Sequence, residues 1–161
     1  MIALNSVKAL AVGSALFFGL AASPAMAEGA FAGFNGTWRG AGNITLAGGQ
    51  KEKLTCKAYY NPKNSGAELG IALTCSSQAN KIELRANLNS SGDSVSGSWE
   101  ERAFNSSGSV AGKASGSKLN LSISGTLKGT MSISTGASSQ SVNIRTDGTG
   151  FKSVSLSLSK S

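Results

Sequence analysis

The segment LTCKAYYNPKNSGAELGIALTC, residues 54–75, decides the fold. Leu54, Cys56, Ala58 and Tyr60 alternate with polar or charged residues on one side of a turn-forming centre. Leu69, Ile71, Leu73 and Cys75 do the same on the other. A period of two is the mark of a half-buried β-strand. Two such runs around Asn, Pro, Ser and Gly read as a hairpin. With Ser65-Gly66 at the tip, Cys56 faces Cys75, Ala58 faces Leu73 and Tyr60 faces Ile71. The register that opposes the sulfurs also puts all the apolar residues on one face, and a slip of one residue would reverse it. The only two cysteines of the chain are therefore predicted to form a disulfide between neighbouring strands. Their spacing lacks the C-x-x-C arrangement of redox-active pairs, so the bridge reads as structural.

Outward from this hairpin the same alternation continues. A first strand over 34–47 carries Trp38, Gly40, Gly42, Ile44 and Leu46 on one face. After the hairpin come Ile82 to Leu88, then Val95, Gly97 and Trp99. Further segments carry Val110 to Ala114, Leu119 to Ile123, Leu127 to Ile133, Val142 and Ile144, and Val154 to Leu158. Turn clusters separate about ten segments, and no stretch after Ala27 has helical periodicity. The prediction is all-β: a single antiparallel β-barrel or strongly curved sheet of about 8–10 strands in meander order, over residues 34–161. The Ser- and Gly-rich second half is expected to fold, because strict alternation has no cause in a disordered tract.

Ahead of this domain, residues 1–27 read as a cleavable signal peptide. Lys8 precedes an apolar run, Ala9 to Ala22, followed by Pro24 and the small-residue site Ala25-Met26-Ala27. The run is about 14 residues, short of the roughly 20 of a membrane span. Residues 28–33 are expected to be a flexible N-terminus. A periplasmic or secreted location follows, in which disulfides persist.

The chain contains no histidine. That removes Ser-His-Asp and Cys-His nucleophilic systems and the usual zinc, copper and non-haem iron sites. Glu100 and Glu101 are adjacent on a strand, so they point to opposite faces rather than across a cleft. Glu101 continues the inward face of Gly97 and Trp99 and is expected at a barrel rim, paired with Arg102 or another base. No acidic calcium loop or phosphate loop is present. No enzyme activity, cofactor or metal is expected. The formal charge is +7, one unit of it on Lys8, and the bases are dispersed. Nucleic acid is not an expected partner; the dispersed bases fit either an even, soluble surface or affinity for an anionic envelope surface. A membrane-spanning barrel is disfavoured: the aromatics after residue 27 form no girdle.

Gly36-Thr37-Trp38 is echoed by Gly97-Ser98-Trp99. Small residues, among them Gly40, Gly42, Ala58, Gly97, Gly112, Ala114 and Gly129, recur on the inner face. They fit either room for a ligand or the bends of a tight barrel.

Phe34-Asn35-Gly36-Thr37-Trp38 resembles the Gly-x-Trp opening of lipocalin-like (calycin) barrels. The chain after residue 27 also resembles small exported proteins of proteobacteria. The resemblance implies a barrel around a cavity for a small apolar or lipid-like ligand, with Arg145 the nearest candidate for the Arg that closes on the Trp in that family. On this reading Trp38, Gly40, Gly42, Tyr60, Trp99 and Met131 are the candidate cavity residues. Trp38 is expected to line or close one end of the cavity, with Trp99 on the same inner face. The alternative function is a periplasmic interaction protein, an enzyme inhibitor or envelope-surface binder acting through loops and basic outer faces. The basic charge argues against inhibition of a basic enzyme such as lysozyme.

Overall fold

A computed structural model describes residues 28–148 and 150–161. Residues 1–27, read above as a signal peptide, lie outside the described residues. Ten strands follow in chain order: β1 (Gly36–Leu46), β2 (Lys51–Lys63), β3 (Glu68–Ser76), β4 (Lys81–Ser91), β5 (Ser94–Glu101), β6 (Ser106–Ser115), β7 (Lys118–Gly125), β8 (Gly129–Thr135), β9 (Ser139–Thr146) and β10 (Phe151–Lys160). Each pairs antiparallel with the next, and β10 returns to pair antiparallel with β1, so the sheet closes into a barrel. An even number of strands makes this possible, since the last strand of a meander then runs opposite to the first. Closure leaves no strand edge free, which removes the usual site of edge-to-edge association.

The β2–β3 hairpin has the register that the alternation predicts: Cys56 pairs with Cys75, Ala58 with Leu73 and Tyr60 with Ile71. Cys56 and Cys75 form a disulfide with their Cα atoms 4.1 Å apart. The inner wall is built from the apolar parity of every strand, including Leu54, Leu73, Leu88, Val95, Leu121 and Leu156. The opposite parity is polar and faces outward. In β10, for example, Val154, Leu156 and Leu158 are buried while Ser155, Ser157 and Ser159 are exposed. A membrane-spanning β-barrel has the reverse polarity, with its apolar band outside. No described helix is long and apolar enough to cross a membrane.

The two ends of the barrel differ. At one end β4–β5 and β6–β7 are joined by two-residue turns, Gly92-Asp93 and Gly116-Ser117. Gly92 and Gly116 both have φ near 57°, the conformation that the first central residue of a type II′ hairpin turn requires. At the other end the turns after β1, β3, β5, β7 and β9 are of three or four residues.

Two boundaries differ from the sequence prediction. β1 starts at Gly36, with Phe34 in a one-turn 3-10 helix, Ala32–Phe34. Leu127 lies in the β7–β8 turn, ahead of β8. The segment 28–33 makes contact with the β2–β3 turn. Gly29 N–H donates to the Ser65 carbonyl at 2.8 Å and Phe31 N–H to the Gly66 carbonyl at 2.9 Å. Phe31 and Phe34 are completely buried. Two phenyl rings carry too much apolar surface to remain in water when a barrel end is there to take them. The β2–β3 turn lets the segment in: a Cβ on Gly29 would collide with the backbone of Gly66.

Candidate functional site

With Phe31 and Phe34 seated, Trp38, Tyr60, Leu69, Leu88, Leu119 and Ile133 fill the short-turn end of the interior; each is at most 1% exposed. Packing thins out toward the end with the longer turns. There a cavity of about 540 Å³ remains inside the barrel. Its deep wall is apolar, formed by Ile71, Ala86, Trp99, Val110, Leu121 and Met131 among others. The mouth lies at the longer-turn end, ringed by Leu46, Asn80, Glu101, Phe104, Ser106 and Thr126. Phe104 sits in the β5–β6 turn at 62% exposure while lining the cavity.

Four polar side chains at the mouth already have partners. Glu101 accepts hydrogen bonds from the N–H groups of Glu83 (2.7 Å), Ala103 (3.2 Å) and Phe104 (2.7 Å), and so holds the β5–β6 turn. Asn80 donates through Nδ2 to Glu52. The Ser106 hydroxyl donates to the Phe104 carbonyl, and the Thr126 hydroxyl to the Ser107 carbonyl. Glu52, hydrogen-bonded by Ser77 and Asn80, has its pKa held below the ordinary carboxyl value. Glu101 stands at the rim as the parity predicts, but its partners are backbone amides. Arg102 instead bonds Glu100, at 2.8 Å.

The sequence candidates divide between the two ends. Trp99 and Met131 line the cavity. The Trp99 indole N–H donates to the Ser124 carbonyl at 3.0 Å. Trp38 and Tyr60 do not line it; they belong to the packed end. Burial there pushes the Tyr60 phenol well above its ordinary pKa. Gly40 and Gly42 are also absent from the cavity wall, because β1 and β10 come too close together there. A Cβ on Gly40 would collide with the Ser157 carbonyl oxygen, and one on Gly42 with that of Ser155. These glycines serve strand approach and curvature rather than ligand space.

Arg145, the candidate to close on Trp38, is exposed near the mouth end of β9. The cation over Trp38 is Lys160, with Nζ 5.5 Å from the ring. Lys160 pairs with Trp38 across β10 and β1, a relation visible only once those strands meet. Leu84, Leu121 and Phe104 are cavity residues that the candidate set missed. Leu84 and Leu121 carry the right parity, but parity does not distinguish filled from empty levels of a barrel.

No protein-family model matches the chain, and no curated protein matches it. The barrel is similar to a solved structure, an S-type phycobiliprotein lyase from Guillardia theta. The TM-score is 0.54 at 13% identity, over 81% of this chain and 89% of that one. The fold is lipocalin-like. At that identity the likeness concerns the course of the chain, and the two proteins need share no site. The barrel and the disulfide of this chain fit an oxidising compartment.

Proposed function

We propose that the protein is a non-enzymatic binding protein of an exported compartment, periplasmic or secreted, that holds a small apolar ligand inside its barrel. The observation that carries this is the cavity of about 540 Å³, open at one end and apolar in depth. Small-molecule sites fall at roughly 300–1,000 Å³ and are mostly apolar. A purely structural barrel would be packed throughout, as this one is at the Trp38 end, and leaving such a space empty is destabilising. Binding rather than catalysis is supported by the wall itself: Glu101 is its one ionisable side chain among the described residues, and three backbone amides occupy it. Export is supported by the signal-like residues 1–27 and by the oxidised state of both cysteines. The open cavity favours this reading over a surface binder or inhibitor, which needs no interior space.

Native mass spectrometry of protein purified from its own host tests the proposal. The expected result is a noncovalent adduct on the wild type that is lost in Met131→Trp, where an indole fills the deep wall. A bare protein mass, together with no uptake of the neutral probe N-phenyl-1-naphthylamine, overturns it.

A further inference from the structure

From the chemistry of the cavity wall and mouth we infer that the site selects by head-group charge, taking neutral or cationic amphiphiles and discriminating against carboxylates. This rests on the ligand-holding reading above and adds to it the class of ligand. The deep wall's one hydrogen-bonding side chain, the Trp99 indole, is already engaged by the Ser124 carbonyl, so the inserted part of a ligand must be wholly apolar; a buried polar group there would go unpartnered. The polar end of the ligand therefore stays at the mouth. There the hydroxyls of Ser106 and Thr126 and the amide of Asn80 are engaged within the rim. The charge the head group meets is the Glu101 carboxylate, fixed in place by its three N–H donors.

Cations of that end do not offset it inside the mouth. Lys81 pairs with Glu83 and Arg102 with Glu100. Neither these bases nor Lys51, Lys128, Arg145 or Lys152 line the cavity. A carboxylate head would thus sit beside a like charge with no cation on the lining to receive it, whereas an ammonium or hydroxyl finds an acceptor. The amides on Glu101 soften its field, and the mouth is open to water. The discrimination is therefore on the order of tenfold rather than absolute, as for unit charges several ångströms apart at intermediate dielectric.

The β5–β6 register supplies the decisive variant. Ser106 is the residue paired with Glu101 and lines the same mouth. Ser106→Lys places an ammonium beside the carboxylate. The experiment is displacement of N-phenyl-1-naphthylamine from the intact protein at pH 8 by dodecanol, dodecylamine and dodecanoate, which share a tail length. For the wild type, dodecylamine should bind at least as tightly as dodecanol, and dodecanoate about tenfold more weakly. In Ser106→Lys the dodecanoate deficit should shrink to about threefold or less. Glu101→Gln, checked for folding by its melt, should shrink it in the same way and gives a second route if the lysine disturbs the turn. Dodecanoate binding as tightly as dodecanol in the wild type overturns the inference and leaves the ligand-holding reading standing. If the probe does not bind and no ligand is taken up, the ligand-holding reading falls, and this inference with it.

Discussion

Trp38 and Trp99 project into the same interior from opposite ends of it. Trp38, 1% exposed, is packed with the Phe31–Phe34 segment at the short-turn end and lies under Lys160. Trp99, 7% exposed, walls the open cavity and is anchored by its hydrogen bond to Ser124. The two Gly-hydroxyl-Trp triplets are therefore alike in sequence and different in consequence. One belongs to the part of the barrel that holds the fold, the other to the part with space to spare.

Substitution should separate these roles. Trp38→Ala and Phe31→Ala each remove a fully buried aromatic from a filled end, and each should lower the unfolding free energy by about 3–5 kcal/mol. Protein that still folds should keep its affinity for N-phenyl-1-naphthylamine. Trp99→Ala enlarges a space that is already open. It should be less destabilising than Trp38→Ala and weaken the probe several-fold. Urea melts and probe titrations on the same preparations decide the matter. A Trp38 variant that loses binding while keeping its stability would show the ends to be assigned the wrong way round.

The bridge between Cys56 and Cys75 closes a loop of 19 residues along a hairpin that is already paired in register. Replacing both cysteines with Ala should reduce stability by about 2–4 kcal/mol. The double variant should melt identically with and without dithiothreitol, while the wild type shifts toward it on reduction. A wild type indifferent to reductant would show that the hairpin holds without the cross-link.

Tyr60 gives a dependence on pH whose sign is fixed by burial. Desolvation disfavours the phenolate in the folded barrel and raises the pKa above the ordinary value of 10. An unfolded chain ionises this residue near that ordinary value while the folded chain still holds its proton. The folded state then binds more protons, and stability must fall as pH rises. The stabilising difference is complete below pH 10 and is lost progressively above it, at up to about 1.4 kcal/mol per pH unit for the one group. The test is the difference between wild type and Tyr60→Phe, which differ in this one phenol. The wild type should lose more stability than the variant between pH 9.5 and 11. Parallel curves would mean that the phenol reaches water in the folded state.

Period-two alternation is a local property, and what it determines is local. It was enough to make the chain all-β, to put Trp38 and Trp99 inside with Leu73 and Leu156, and, with Ser65-Gly66 as a tip, to oppose Cys56 to Cys75. Each of these depends on the facing of neighbouring residues or on the register across one turn. Other features waited for the tertiary structure because they depend on residues far apart in the chain. Lys160 covers Trp38 only because β10 closes on β1. Gly40 and Gly42 become contact points with β10 only because the closed sheet coils tightly there. Phe31 and Phe34 close one end only because the β2–β3 turn accepts their backbone. Alternation states which side of a strand faces inward. It does not state the height at which a side chain stands in the barrel or how far away the opposite wall lies, and those two distances decided that Tyr60 is core while Met131 borders a cavity.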